Sequence, residues 1–121
     1  MSSFKIIEIP DFSDDRGTLF VIDQLLPFEV KRLFYILDGS QIRGGHRHFE
    51  TRQAMICLKG SVDVYMNNGE AEETVRLNCP KRCLLIEPQD WHQMKNFSEN
   101  SVLLVLASAA FDKKDYILEP Y

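Results

Sequence analysis

Short apolar runs, each about the length of a β-strand, alternate with clusters of turn-forming residues along this chain. In residues 61–66, Val62, Val64 and Met66 fall on one side of an extended chain and Asp63 on the other, because side chains alternate along a strand. Such runs recur about every 8 to 12 residues, a spacing typical of all-β sandwiches and barrels. The predicted strands are residues 4–9, 18–22, 30–37, 53–58, 61–66, 73–77, 83–87, 91–97 and 102–107.

Polar and glycine-containing segments separate these runs. The sequences Asp-Asp-Arg-Gly at residues 14–17 and Asn-Asn-Gly at residues 67–69 are typical of turns and hairpins. The tail from Phe111 onward has a weakly helical pattern. Because 121 residues are the length of one domain, we expect residues 1–121 to form a single all-β domain.

Composition and charge narrow the class of protein. Hydrophobic residues make up 45% and charged residues 26% of the chain, as in ordinary globular proteins. The net charge of −4 argues against a nucleic-acid partner, which needs a basic surface. Three cysteines without a Cys-x-x-Cys pair do not suggest a disulfide framework, and the longest apolar run is shorter than the ~20 residues of a membrane helix. These features predict cytoplasmic localisation and no membrane partner.

All three histidines lie in two short motifs, GGHRH at residues 44–48 and WH at residues 91–92. On a strand, His46 and His48 project from the same face. Two imidazoles on one face can bind a metal ion or act as proton donor and acceptor near neutral pH. A surface strand with two solvated histidines is the alternative that this pattern leaves open.

The spacing around these motifs resembles the two sequence boxes of the cupin superfamily, whose members are small jelly-roll β-barrels. After His48 come four residues, Gln53, six residues and Gly60, and the second box contains Pro88 and His92. Metal-binding cupins have a glutamate where this chain has Gln53, and a neutral amide lacks the charge that gives such sites much of their affinity. We therefore expect no metal at these histidines.

A closer resemblance covers almost the whole chain. The segments GGHRHFETRQAMICLKGSVDVYM, LLIEPQDWHQMKNFSENSVLLVLAS and FDKKDYI, with Asp-x-Arg-Gly at residues 14–17, resemble the sugar-nucleotide 3,4-ketoisomerases of the cupin superfamily. These enzymes act on TDP-4-keto-6-deoxyglucose in the biosynthesis of amino deoxysugars for glycans such as lipopolysaccharide and S-layers. Gln53 fits the family pattern, whereas Arg47, Phe49 and Glu50 depart from it.

The resemblance implies proton transfer without a cofactor. Moving the carbonyl from C4 to C3 requires loss of a proton from C3, and a positioned base accelerates such a step by about 10²–10⁴-fold. Histidine suits this role because a neutral fraction exists at pH 7. By resemblance, His46 is the expected base, His48 the acid or proton shuttle, and Tyr35 a donor or proton relay at a sugar oxygen. A tyrosine packed in the core is the other interpretation of Tyr35.

Four further residues are candidates for substrate binding. Arg16 suits a pyrophosphate because guanidinium groups donate in a fork, although residues 14–17 could equally form a charged turn. Arg43 lies three residues before His46, where it could hold the sugar or a phosphate. The alternative is a solvated arginine beside a turn. Gln53 is a candidate for substrate binding because it matches the family pattern. His92 is either a substrate-facing group or a hydrogen-bonded core histidine.

The resemblance also predicts the partners. The ligand is expected to be a TDP-linked 4-keto-6-deoxyhexose, and the assembly a homodimer with an exchanged N-terminal strand. Two other functions stay open: a metal-dependent cupin enzyme and a non-catalytic sugar-nucleotide-binding module. A 3,5-epimerase is disfavoured, because its histidine base works with an aspartate partner and no such pair is apparent in the sequence.

Overall fold

The computed structural model describes residues 4–121. They form short β-strands and a single helical turn of the 3₁₀ type, Lys113–Asp115. No helix within this described part of the chain is long and apolar enough to cross a membrane. The strands are β1 Lys5–Glu8, β2 Asp11–Asp14, β3 Gly17–Phe20, β4 Arg32–Leu37, β5 Arg43–His48, β6 Gln53–Lys59, β7 Val62–Asn67, β8 Glu72–Leu77, β9 Arg82–Ile86, β10 Trp91–Lys95, β11 Val102–Ala107 and β12 Tyr116–Ile117.

Two five-stranded antiparallel sheets pack face to face. The first sheet has the order β1-β9-β6-β11-β4 and the second the order β12-β5-β10-β7-β8, while β2 and β3 form a separate hairpin. From β4 to β11 the chain passes from one sheet to the other at every step except the β7–β8 hairpin. This interleaved order is that of a jelly roll, so the predicted all-β jelly-roll fold is confirmed.

The space between the sheets is apolar for most of its depth and polar at one end. Direct pairing of β11 with β4 and β6 places Phe34, Val105 and Met55 in one layer of the core. Two residues further along, the same strands carry Arg32 and Gln53 in the corresponding inward positions. We call this end, with Arg32 and Gln53 on the first sheet, the mouth of the sandwich.

A second apolar layer covers the outer face of the first sheet. Side chains of β6, β9 and β11 pack there against the long connection between β3 and β4. This connection contributes Leu25, Leu26 and Phe28, and Phe20 at the end of β3 packs beside them. The first sheet is therefore buried on both faces over much of its area, which explains the continuous apolar run in β6.

The C-terminal tail differs from the weakly helical segment that its sequence predicts. The Asp112 side chain accepts a hydrogen bond from the Lys114 amide and begins only one helical turn. The next residues, Tyr116–Ile117, pair antiparallel with the end of β5. The tail thus adds an edge strand beside the mouth.

Candidate active site

Three histidines meet at the mouth because two paired strands carry them. His46 and His48 lie on β5 with their side chains on the same face, and His92 on β10 is the direct antiparallel partner of His46. The ring centroid of His46 lies 4.9 Å from that of His48 and 4.8 Å from that of His92. The fold therefore unites two motifs that are far apart in the sequence.

Burial keeps these imidazoles uncharged. The side chains of His48 and His92 are almost fully buried, whereas His46 is half-buried. Loss of hydration lowers the pKa of His48 to about 4 and the pKa of His92 to about 3, and it also lowers the pKa of His46. At neutral pH each ring is neutral and has a nitrogen that can accept a proton.

The ring of His92 is held in place by a hydrogen bond to the backbone. Its Nδ1 lies 3.0 Å from the carbonyl oxygen of Asp90. Because a carbonyl oxygen only accepts hydrogen bonds, Nδ1 carries the proton and Nε2 is the acceptor of the neutral ring. His92 is thus a hydrogen-bonded core histidine that also packs against His46, and a substrate-facing role for His92 stays a prediction.

Several buried polar atoms at the mouth have no partner. Both ring nitrogens of His48 and the Oε1 atom of Gln53 are buried without a hydrogen bond to any residue that the structure describes. Such atoms are rare in folded proteins because an unpaired buried group costs about 1–3 kcal/mol. A ligand with hydroxyl groups would supply the missing hydrogen bonds.

A β-bulge at Gly44 and Gly45 turns Arg43 toward the histidine side of β5. Both glycines have positive φ, 88° and 80°, and the pairing with β10 shifts here so that Arg43 opposes the inward-pointing Met94. In a regular strand, Arg43 would face away from His46. Instead, one cavity of about 360 Å³ is lined by Arg43, Gly44, His46, Met94 and residues 34–37 of β4.

Tyr35 lies at the rim of this cavity, on the exposed face of β4. Phe34 and Ile36 point inward and pack in the core, while Tyr35 is 61% exposed. The inward position beside Tyr35 is therefore held by a phenylalanine that has no proton to donate. The catalytic role of Tyr35 stays a prediction.

Arg16 is not among the residues that line the cavity of His46. It lies at the tip of the β2–β3 hairpin, where its side chain is 89% exposed and pairs with Asp14. The hollow beside it is formed by the hairpin alone, by Phe12, Asp14, Arg16, Gly17, Thr18 and Leu19. Its role in binding a pyrophosphate stays a prediction.

The C-terminal tail contributes an aromatic ring that the residue-by-residue arguments missed. The ring centroid of Tyr116 lies 4.5 Å from that of His46 and 4.8 Å from that of His48. Tyr116 is brought there by the pairing of β12 with β5, in which it opposes His48. The sequence signal was its place in the segment FDKKDYI, which the family resemblance singled out.

The neighbouring Asp115 fixes the turn that follows His48. Its carboxylate accepts hydrogen bonds from the amides of Glu50 and Thr51, at 2.8 and 3.2 Å, and from the Thr51 hydroxyl. Burial raises the pKa of Asp115, but these hydrogen bonds outweigh it and hold the pKa below its usual value. The ionised carboxylate therefore ties the tail to the end of β5.

The donor set at the mouth does not favour a metal ion. Among residues 4–121, no group of three or more His, Cys, Asp or Glu side chains is arranged to hold one. The side chain that faces the histidines from the first sheet is the neutral Gln53. The arrangement is better suited to proton transfer between neutral imidazoles and a bound molecule.

Comparison with known proteins identifies the family of this chain. The family model described as FdtA: WxcM-like, C-terminal matches residues 2–121. The TDP-4-oxo-6-deoxy-alpha-D-glucose-3,4-oxoisomerase of Aneurinibacillus thermoaerophilus is 38% identical over 117 residues, which cover 93% of this chain and 84% of that protein.

Two solved structures share the whole fold. A 3,4-ketoisomerase from Helicobacter canadensis has a TM-score of 0.93 at 35% identity, covering 98% of this chain and 92% of its own. A variant of the 3,4-ketoisomerase QdtA from Thermoanaerobacterium thermosaccharolyticum, in complex with TDP-4-keto-6-deoxyglucose, has a TM-score of 0.92 at 36% identity. That match covers 98% of this chain and 89% of the other.

Proposed function

The chain belongs to the FdtA family, and from this premise we propose that it is a 3,4-ketoisomerase acting on TDP-4-keto-6-deoxyglucose. The observation that carries the proposal is the mouth, where three neutral imidazoles lie close together and buried polar atoms of His48 and Gln53 have no partner. Such a site offers a base, an acid and free hydrogen-bonding atoms to a polyhydroxylated ligand.

The isomerisation consists of proton transfers on one sugar. The C3 hydrogen leaves as a proton, its electron pair forms a C3–C4 double bond, and the carbonyl electrons move onto the C4 oxygen. The C4 oxygen takes a proton to complete the enediol. The C3 hydroxyl then loses its proton, the electrons of that oxygen form the new C3 carbonyl, and the electrons of the double bond take up a proton at C4. The C4 carbon is reduced and the C3 carbon is oxidised, so electrons balance within the substrate.

His46 is the proposed base because it alone of the three histidines lines the cavity and is only half-buried. Its lowered pKa keeps it neutral near pH 7, so it can take the C3 proton. His48 lies beside it with both ring nitrogens unpaired, which suits a shuttle of protons between the two sugar oxygens. His92 holds the His46 ring in place through their direct contact.

Substrate binding is assigned to groups around this centre. Arg43 borders the cavity and can donate to a sugar oxygen or a phosphate, and Gln53 presents an unpaired amide oxygen from the opposite sheet. Arg16 and Tyr35 are proposed to hold the pyrophosphate and a sugar oxygen, as the family resemblance implies. Both are exposed, so single substitutions can test them without disturbing the core.

We also propose a homodimer. Phe12 and Leu19 are each 63% exposed on the β2–β3 hairpin, and Leu33 and Leu37 are exposed on the outer face of β4. Apolar side chains exposed on a hairpin and on an edge strand are typical of surfaces that associate. Light scattering after gel filtration should give twice the 14.0 kDa of one chain, and a monomer mass at micromolar concentration would contradict the dimer.

Incubation of the purified protein with TDP-4-keto-6-deoxyglucose, followed by NMR, tests the function. We expect the C4 ketone to be replaced by a C3 ketone with no added cofactor. Unchanged substrate that nevertheless binds would indicate a non-catalytic module. Exchange of the C5 hydrogen would indicate an epimerase instead.

A further inference from the structure

An arginine that the sequence arguments did not single out points into the mouth. Side chains alternate along β4, so Arg32 shares the inward face with Phe34 and Ile36. In the first sheet, Arg32 opposes Ala107, which in turn opposes Gln53. Arg32 therefore lies in the same layer as Gln53, across the sandwich from the histidines.

The surroundings of Arg32 leave its charge without an internal counter-ion. Its guanidinium carbon lies 5.6 Å from the ring centroid of Phe34 and 5.7 Å from that of Phe111. Its Nε atom is buried without a hydrogen-bond partner, and Arg32 takes part in none of the ion pairs formed within residues 4–121. Because an unpaired, partly desolvated cation is costly, its placement favours a ligand that carries or develops negative charge.

The positive charge of Arg32 also affects the pKa values of the histidines. It contributes to lowering the pKa of both His46 and His48, after the larger effect of burial. The contacts agree: the Phe111 ring beside Arg32 lies 5.6 Å from the ring of Tyr116, which in turn lies 4.5 Å from that of His46. The reaction places its negative charge on the C4 oxygen, beside the C3 oxygen.

On the basis of the proposed function, we propose that Arg32 is a further catalytic residue, whose guanidinium donates hydrogen bonds to the C3 and C4 oxygens as the enediolate forms. The two oxygens are on adjacent carbons, and two N–H groups of one guanidinium have the spacing to bind both. As the base removes the C3 proton, charge moves from the C–H bond onto the C4 oxygen and meets a donor that is already in place. When C4 takes its proton, the charge disappears and the product is released.

Three variants test this role. Replacing Arg32 by Gln should lower kcat by about 10²–10³-fold with a smaller change in KM, as loss of a transition-state donor does. Arg32→Lys keeps the charge and most of the packing but lacks the fork, so it should recover only part of kcat. Arg47→Gln is the matched control: Arg47 lies on β5 but points outward and packs on the Tyr121 ring, so its kcat should stay close to that of the native protein.

A pH profile separates catalysis from a merely structural role. The groups that face His46 and His48 are Arg32 on β4, His92 on β10, and Asp115 and Tyr116 on the tail. Removing the Arg32 charge should raise the pKa of both histidines, so the acid limb of kcat/KM moves to higher pH in Arg32→Gln and much less in Arg32→Lys. Circular dichroism of each variant checks that it folds.

The outcomes are distinct. Native kcat in Arg32→Gln, with an unmoved acid limb, would overturn the role of Arg32 and leave the proposed function intact. If Arg32→Gln does not fold, full kcat in Arg32→Lys would overturn the need for a guanidinium fork. If the native protein fails to convert TDP-4-keto-6-deoxyglucose, the proposed function fails and the role of Arg32 fails with it.

Discussion

The imidazoles of His46 and His92 lie edge to face, with ring centroids 4.8 Å apart, because their backbones are paired directly across β5 and β10. This contact gives the base a rigid support: His92 is bound to the Asp90 carbonyl and fully buried. The half-buried ring of His46 thus packs against a ring that is buried and hydrogen-bonded to the backbone. A site built on two paired strands is more rigid than one built on loops.

The buried histidines should make the protein less stable as the pH falls. In the unfolded chain His48 and His92 have the usual pKa of 6.5, whereas in the folded protein their pKa values are about 4 and about 3. Below pH 6.5 the unfolded chain therefore binds more protons, and the free energy of unfolding decreases toward pH 4. Thermal unfolding between pH 7.5 and 4.5 measures this.

Carboxylates also titrate in that range, so the comparison needs a variant. His48→Asn removes one of the two groups, and the dependence of Tm on pH should become shallower than in the native protein. Identical slopes for the two proteins would show that His48 is not held neutral by the fold.

The two glycines of the β5 bulge should differ in their tolerance of alanine. A Cβ on Gly44 would lie 2.8 Å from the carbonyl oxygen of His92, whereas a Cβ on Gly45 would meet nothing closer than 3.8 Å. Gly44→Ala should therefore displace β5 from β10 and abolish most activity. Gly45→Ala should cost only the strain of its positive φ, about 1 kcal/mol. Urea unfolding and initial rates compare the variants, and equal effects would contradict the assigned bulge geometry.

Asp115 should stabilise the tail through its charge. Asp115→Asn keeps the size of the side chain but removes the negative charge and can place an NH₂ group against the Thr51 amide. Because hydrogen bonds to charged groups contribute about 1.5–3 kcal/mol, we expect a loss of that order in the free energy of unfolding. Glu119→Gln, at an exposed position of the same tail, is the control and should have no measurable effect. A native Tm in Asp115→Asn would show that the carboxylate is dispensable.

The reaction should not require a metal ion. Gln53 lies where metal-binding cupins have a carboxylate, and the proposed steps use only protons and imidazoles. A chelator removes bound metal ions, and metal analysis confirms their removal. The turnover rate of the treated protein should equal that of the untreated protein. Stoichiometric iron, manganese or zinc, together with loss of activity on chelation, would favour a metal-dependent enzyme.

The sequence predicts the framework of the fold well because the inward faces of the strands are apolar. The alternation at Val62, Val64 and Met66 predicts β7, and the same-face placement of His46 and His48 follows from strand geometry. It does not predict β2, which is exposed at every residue, or β5, whose sequence RGGHRH contains no run of apolar residues. It also misses β12, whose two residues form a strand only because β5 presents an edge to pair with.

The site was harder to predict where the direction of a side chain determines whether the residue reaches the cavity. Arg43 reaches the cavity only because the β-bulge adds one residue to β5. The two adjacent glycines are the only sign of this bulge in the sequence. Arg32 and Tyr35 lie on opposite faces of one strand, and nothing local to β4 tells which face meets the histidines. Tertiary pairing with β11, far along the chain, settles that question.

The central step of the proposed reaction is removal of the C3 proton by a neutral His46. The measurement is NMR of TDP-4-keto-6-deoxyglucose in D₂O with the native protein, His46→Asn and His48→Asn, each checked for folding by circular dichroism. We predict that the native protein forms the 3-keto sugar with deuterium at C4 and that the remaining 4-keto sugar gains deuterium at C3, and that His46→Asn slows both by about 10²–10⁴-fold. Exchange and turnover at the native rate in a folded His46→Asn protein would contradict it.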